Sequence, residues 1–123
     1  QLVFEGPVES VTVPAADGEM GFLPRHAPLV GSLGFGELRV ASQDGAKQAF
    51  FINGGFVQVV DNRVTVLAVE AQAMDDLDAE SARTDLSELE SSPPQAGSSI
   101  EERQEYSRAL SVARARLKFS ERD

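Results

Sequence analysis

The chain has 123 residues, 41% of them hydrophobic, enough for one compact domain or a small domain with an appendage. With no cysteine and one histidine it lacks thiolate ligands, thiol nucleophiles and the several nitrogen or sulfur donors of a zinc or copper site, so no metal and no cofactor are expected. Twenty acids against eleven bases give a net charge of −9, which argues against a nucleic-acid partner, whose affinity comes from lysine and arginine replacing counterions.

No apolar run approaches the roughly 20 residues that span a bilayer, and no signal peptide is visible. The chain opens on Gln1 and enters structure at once with QLVFEG, so residues upstream of it are expected. From there the first seventy residues read as short strands. VESVTVPA alternates Val11 and Val13 with Ser10 and Thr12, and the following ADG is a turn signal. The next stretch, GEMGFLPRHAPLV, holds the only histidine, His26, between Pro24 and Pro28. GELRVAS alternates again, with Leu38 and Val40 opposite Arg39. GAKQAFFIN runs into Asn53-Gly54-Gly55, a hairpin-type turn, and FVQVV runs into a second turn at Asp61-Asn62. RVTVLAVE is apolar on both faces, the pattern of a strand covered on both sides. Short strands separated by Gly, Asn and Asp turns indicate a β-sandwich or barrel.

After Glu70 the composition shifts to alanine, leucine and acids. Asp75 and Asp76 can cap a helix on which Ala82, Leu86 and Leu89 share a face, and Ser91-Ser92-Pro93-Pro94 stops it. Ser99 with Glu102 fits a capping box for a second helix running to about Phe119, with Tyr106, Leu110, Ala113 and Leu117 as its apolar face. Residues 74–98 carry a net charge of −6 and residues 99–123 a net +1, which favours two helices lying side by side. The resulting fold class is mainly β: a flattened antiparallel β-sandwich over residues 1–73, then a two-helix antiparallel hairpin over residues 74–123.

His26 has no serine or cysteine motif beside it, and a catalytic histidine needs a nucleophile or water and an orienting group within reach. The glycines Gly18, Gly21, Gly31, Gly34 and Gly36 match neither a Walker loop nor a dinucleotide fingerprint and read as turn residues. No catalytic residue is expected. A metal-binding cupin-type sandwich would need at least two histidines. An adaptor that uses the sandwich for protein contacts is the alternative reading.

Several stretches carry a specific resemblance. VESVTVPAADGEMGFLPRHAPLVGSLGFGELRV is similar to a strand, a turn ending G-E-L/M-G, then P-x-H-A/S-P-L and a strand beginning G-x-L/M/I-R. FFINGGFVQVVDNRVTVLA is similar to a G-G turn followed by x-V-T-V-L-A, and AMDDLDAESA resembles the start of a first C-terminal helix. In this order and spacing the chain resembles the epsilon subunit of bacterial and chloroplast rotary F-type ATP synthases, the delta subunit of mitochondria. Members of that family normally begin with one more β-strand ahead of the region that starts here at Gln1.

The resemblance implies a non-catalytic rotor subunit whose sandwich packs on the gamma subunit and on loops of the c-ring. It would couple ring rotation to ATP synthesis at the cytoplasmic face of the bacterial inner membrane. Glu19 and His26 match family positions implicated in c-ring contact; Arg25 joins them by inference, in place of a residue that is often glycine. The resemblance also implies a C-terminal hairpin that, when extended, meets the catalytic subunits and inhibits ATP hydrolysis. Some members bind ATP on that hairpin through an I/L-D-x-x-R-A motif and second-helix arginines. Here Leu77-Asp78-Ala79-Glu80-Ser81-Ala82 puts serine in the arginine position, leaving Asp78 and Arg116 as weak candidates, so no tight ATP site is expected.

Overall fold

The computed structural model describes residues 1–15, 18–22 and 28–121, and only the backbone of 15 and 18–22. It divides into two compact units, Gln1–Asp75 and Asp76–Asp123.

The first unit is built from five strands: β1 (Leu2–Ala15), β2 (Gly18–Phe22), β3 (Leu29–Ser42), β4 (Lys47–Val60) and β5 (Arg63–Ala73). All pairings are antiparallel, in the order β2-β1-β3-β4-β5, and β1 also pairs with β5. The last pairing makes the sandwich. The first half of β1 lies on β5, from Leu2 opposite Leu67 to Pro7 opposite Arg63. Its second half lies on β3 and β2, with Val11 opposite both Val40 and Phe22. One strand thus serves both layers.

The burial pattern shows how the other long strands do the same. In a strand successive side chains face opposite sides, so a core face keeps one parity. Here the parity changes midway: Leu33 gives way to Leu38 and Val40 in β3, Ile52 to Val57 and Val59 in β4, and Val64, Val66 and Ala68 to Ala71 in β5. In β1 Val8 gives way to Val11 and Val13, and there the register with β3 shifts between Val8 and Ser10. A one-residue irregularity bends and twists a strand, and it exchanges its two faces. In β3, β4 and β5 it falls at one level, where Phe35, Asn53 and Glu70 are partners, and together with the separate shift in β1 it lets four long strands wrap a single core of Val, Leu and Ile side chains, each worth about 1.5–3 kcal/mol when fully buried.

This corrects the expected hairpin at Asn53-Gly54-Gly55. The chain does not reverse there. Asn53 pairs with Phe35 and Glu70, Gly55 pairs with Leu33 and Ala68, and β4 continues on both sides. Gly54 has φ 76° and Gly55 φ 140°, so the glycines supply the bend inside a strand. A Cβ on Gly55 would lie 2.0 Å from the Leu67 carbonyl oxygen, which leaves no room for any side chain. The Asp61-Asn62 turn is present: both residues have positive φ, 52° and 68°, and Val60 pairs with Arg63, the pattern of a type I′ hairpin. Residues 16 and 17 of the expected ADG turn lie outside the described residues; Ala15 pairs with Gly18 across them.

A 3-10 turn (Met74–Asp76) ends the link from β5, and the second unit continues with α1 (Ala79–Glu90) and α2 (Ile100–Ser120). The cap of α1 is Asp78, not Asp75 or Asp76. Those two sit within the 3-10 turn, and the extended backbone that a cap requires falls at Asp78, which accepts a hydrogen bond from the Glu80 amide at 3.2 Å. Ser99 and Glu102 form the full capping box of α2. Ala82 is buried on α1 with Leu86 and Leu89 half-buried, and Val112 and Ala113 are buried on α2. The Tyr106 hydroxyl donates to the Leu89 carbonyl at 2.6 Å, and Arg83 meets Glu121 at 3.3 Å, which fixes the helices as antiparallel.

Candidate interaction surfaces

Of the residues expected at the ring-facing edge, Glu19 is the one whose backbone is described. The backbone of Glu19 lies in β2 opposite Pro14, which is next to the hairpin end of that strand pair. Its side chain, and Arg25 and His26 altogether, lie outside the described residues. The segment that carries them leads directly into Leu29 and Val30, at the start of β3.

Asp78 and Arg116 both belong to the helical unit, at the start of α1 and near the end of α2. Asp78 is committed to its cap. Arg116 is half-buried, with its Nε shielded from solvent. Arg83, Arg103, Arg108 and Arg114 stand outward, and two of them face carboxylates, Arg83 on Glu121 and Arg114 on Glu90 at 3.9 Å. These exposed pairs contribute little stability, on the order of 0–1 kcal/mol. A triphosphate would need several convergent cations, and the two candidates do not supply them.

On one outer face of the first unit the structure forms an open cleft of about 660 Å³, lined by Ser10, Thr12, Arg39, Lys47, Phe50 and Met74 among others. Arg39 donates to the buried carboxylate of Glu37 at 2.8 Å. The lining offers hydroxyls and cations, with no histidine or cysteine among its residues. Among the described residues no group of three or more His, Cys, Asp or Glu is placed to hold a metal.

A surface that motif reading passed over lies on the other half of the sandwich. Leu2, Leu67, Phe56 and Ser32 are successive register partners across β1, β5, β4 and β3, so they form one row on one face. That face is turned away from the core: Leu2 is 55% exposed, Phe56 58% and Leu67 46%. Val69, two residues beyond Leu67, is 78% exposed, and Val30, two residues before Ser32, is 69% exposed. Directly opposed side chains in such a row are about 4.5–5.5 Å apart, so the row is continuous. The signal was present in RVTVLAVE, where every position but the threonine and the flanking charges is apolar.

The architecture has matches among known proteins. Residues 1–74 match the family model described as the ATP synthase, Delta/Epsilon chain, beta-sandwich domain. The chain is 36% identical over 117 residues to an ATP synthase epsilon chain of Rhodospirillum rubrum, spanning 95% of this chain and 87% of that one. It is 41% identical over 104 residues to the corresponding chain of Desulforamulus reducens, spanning 82% and 76%. Among solved structures it is similar to a chain in the cryo-EM structure of the Euglena gracilis mitochondrial ATP synthase, OSCP/F1/c-ring, with TM-score 0.72 and 30% identity over 89% of this chain and 68% of that one. A chain of the Tetrahymena thermophila mitochondrial ATP synthase central stalk/c-ring shares the fold, at TM-score 0.65 and 16% identity over 93% of this chain and 83% of that one. With the sandwich model matched over its whole first unit and relatives that extend through the helical pair, the chain belongs to the ATP synthase delta/epsilon family.

Proposed function

We propose that the chain is a non-catalytic rotor subunit in the central stalk of a proton-translocating F-type ATP synthase. It binds the gamma subunit and the c-ring through its β unit and passes ring rotation through gamma to the subunits that make ATP. The observation that carries this reading is the family match over residues 1–74, followed by the two-helix unit in the order its relatives share. The reading needs binding surfaces and no active site. It puts the chain on the cytoplasmic face of a bacterial inner membrane as a peripheral component, and no described helix is long and apolar enough to cross a membrane. Glu19, Arg25 and His26 form the c-ring-facing edge in this reading.

The helical unit is the regulatory part. Its helices are weakly apolar, and such helices depend on packing for their stability. The exposed arginine pairs that join them are weak, so a second conformation that meets the catalytic subunits costs little to reach. In it the basic end of α2, with Arg108, Arg114, Arg116 and Lys118, restrains ATP hydrolysis. Asp78 and Arg116 bind no nucleotide tightly.

The test is reconstitution. The full chain should co-purify with gamma and the c-ring and restore proton-coupled ATP synthesis to a complex depleted of this subunit. A chain ending at Ala73 should still assemble and should raise ATP hydrolysis. Failure of the full chain to bind gamma or the ring would refute the rotor reading. Unchanged hydrolysis with the shortened chain would refute the regulatory one.

A further inference from the structure

The second half of β1, the end of β3 and the start of β4 present a grid of outward side chains. Ser10, Ala41 and Lys47 are register partners in one row, and Thr12, Arg39 and Ala49 in the next. Val11 and Val40 lie between the rows and belong to the core, so by alternation the grid faces away from the core. All six residues line the cleft of about 660 Å³, and Met74 and Asp75, which follow β5, line it too. Sites for small molecules commonly enclose roughly 300–1,000 Å³. We propose that this cleft binds a small organic monocarboxylate.

The grid has a low floor and two polar walls. Ala41 and Ala49 are short and leave room above the middle of it. Ser10 and Thr12 bring hydroxyls from β1, and Lys47 brings an ammonium from β4, two strand spacings or about 10 Å across. A carboxylate held over the alanines accepts from the hydroxyls and from the ammonium, and the second of these bonds is charge-assisted. Met74 and Phe50 give the body of the acid apolar contact. Charge sets the class of ligand. Arg39 donates to the buried carboxylate of Glu37 at 2.8 Å, so its charge is matched within the fold. Among the described residues Lys47 is in no ion pair. One unmatched ammonium calls for one negative charge. Asp75 opposes a second: a dianion such as a phosphate monoester would bring like charge toward that carboxylate. A neutral ligand would forgo the bond to Lys47. Binding here does not depend on the rotor reading, since the isolated chain holds every group named.

The test is a titration of the isolated full-length chain, labelled with a nitrogen isotope, with benzoate at neutral pH and constant ionic strength. Proton–nitrogen correlation spectra follow the backbone amides. The expected result is saturable shifts at Thr12, Ala41 and Ala49 with a roughly millimolar Kd, as suits so small a ligand. Benzyl alcohol, which lacks the charge, and phthalate, which carries two, should each bind about tenfold more weakly. Lys47→Gln should weaken benzoate about tenfold and Thr12→Val about threefold. Asp75→Asn should narrow the gap between phthalate and benzoate. Lys47 and Asp75 are exposed, so both substitutions leave the core in place, and the dispersion of the spectra checks it. Shifts that never saturate, or a benzoate Kd unchanged by Lys47→Gln, would overturn the proposal. So would inorganic phosphate bound as tightly as benzoate, which would make the cleft a general anion site. Each of these results leaves the co-purification test of the rotor reading untouched.

Discussion

Replacing Gly55 by alanine tests how the sandwich is bent. Gly55 has φ 140°, and a Cβ built there lies 2.0 Å from the Leu67 carbonyl oxygen and 2.8 Å from the Ala68 Cα. Both atoms belong to the backbone of β5, so no side-chain rotation relieves the clash. The β4–β5 ladder must part by more than 1 Å at the level where Gly55 pairs with Ala68. The conformational part of the penalty is about 1–3 kcal/mol for a non-glycine residue held at such a φ. Forcing extra volume into a packed site adds about 1–3 kcal/mol. The total, about 2–6 kcal/mol, is a large share of the roughly 5–15 kcal/mol that holds a domain folded. For a unit of this size each 1 kcal/mol lowers Tm by about 4–8 °C, so a fall of at least about 10 °C is expected. Gly45 is the control: it has φ 92° and nothing within 4 Å of its Cβ position, so Gly45→Ala carries only the conformational part. Calorimetry on the full chain reads the β unit, which circular dichroism at 222 nm would hide beneath the helices. If Gly55→Ala costs no more than Gly45→Ala, the close approach of β4 to β5 does not constrain position 55, and the argument for the bend fails.

Three further substitutions probe the two units. Ser99→Ala removes the hydroxyl half of the capping box and should cost about 1 kcal/mol in the helical transition followed at 222 nm. Tyr106→Phe loses the 2.6 Å hydrogen bond to the Leu89 carbonyl and should destabilise the α1–α2 pair by about 1 kcal/mol in the same assay, leaving the β transition unchanged. Leu38→Ala empties a fully buried site of the core and should cost about 2–5 kcal/mol in urea unfolding, and a loss under 1 kcal/mol would mean that the core there collapses freely.

Local chemistry made much of the fold legible. Prolines at 93 and 94, the serine–glutamate spacing at 99 and 102, and the Asp61-Asn62 turn each act through the few residues around them, and each has its expected consequence. The first helix cap was one turn-like element off, because three aspartates within four positions offer the same side-chain chemistry and the intervening 3-10 turn decides between them. Asn53-Gly54-Gly55 misled for a different reason. Positive φ at consecutive residues is what a tight hairpin needs, and it is equally what a bend within a strand needs. Only the pairing partners separate the two, and these lie on β3 and β5, some twenty residues before and fifteen after.

RVTVLAVE carries the deeper lesson about the candidate site. An apolar strand on both faces implies cover on both faces, and the core supplies it for Val64, Val66 and Ala68. Leu67 and Val69 stand 46% and 78% exposed. The parity exchange in β3, β4 and β5 sharpens the point. It occurs at Val69 and Glu70, past Leu67, so Leu67 cannot be an inward residue displaced by the bend; its register partners Leu2 and Phe56 are outward and apolar as well. Burying one such side chain is worth about 1.5–3 kcal/mol, and three register-matched ones forgo it together. The pattern is therefore coherent across three strands, of which β1 is far in sequence from β4 and β5. That coherence is what an assembly surface requires and what an accident of composition would not produce. The same pattern sets a quantitative demand on the partner: if Leu67→Ser and Phe56→Ser each weaken binding of a gamma-containing catalytic core, the double variant should show coupling, because direct neighbours in one row share a partner pocket and their effects are not additive. Strict additivity would mean that the row is not read as a unit.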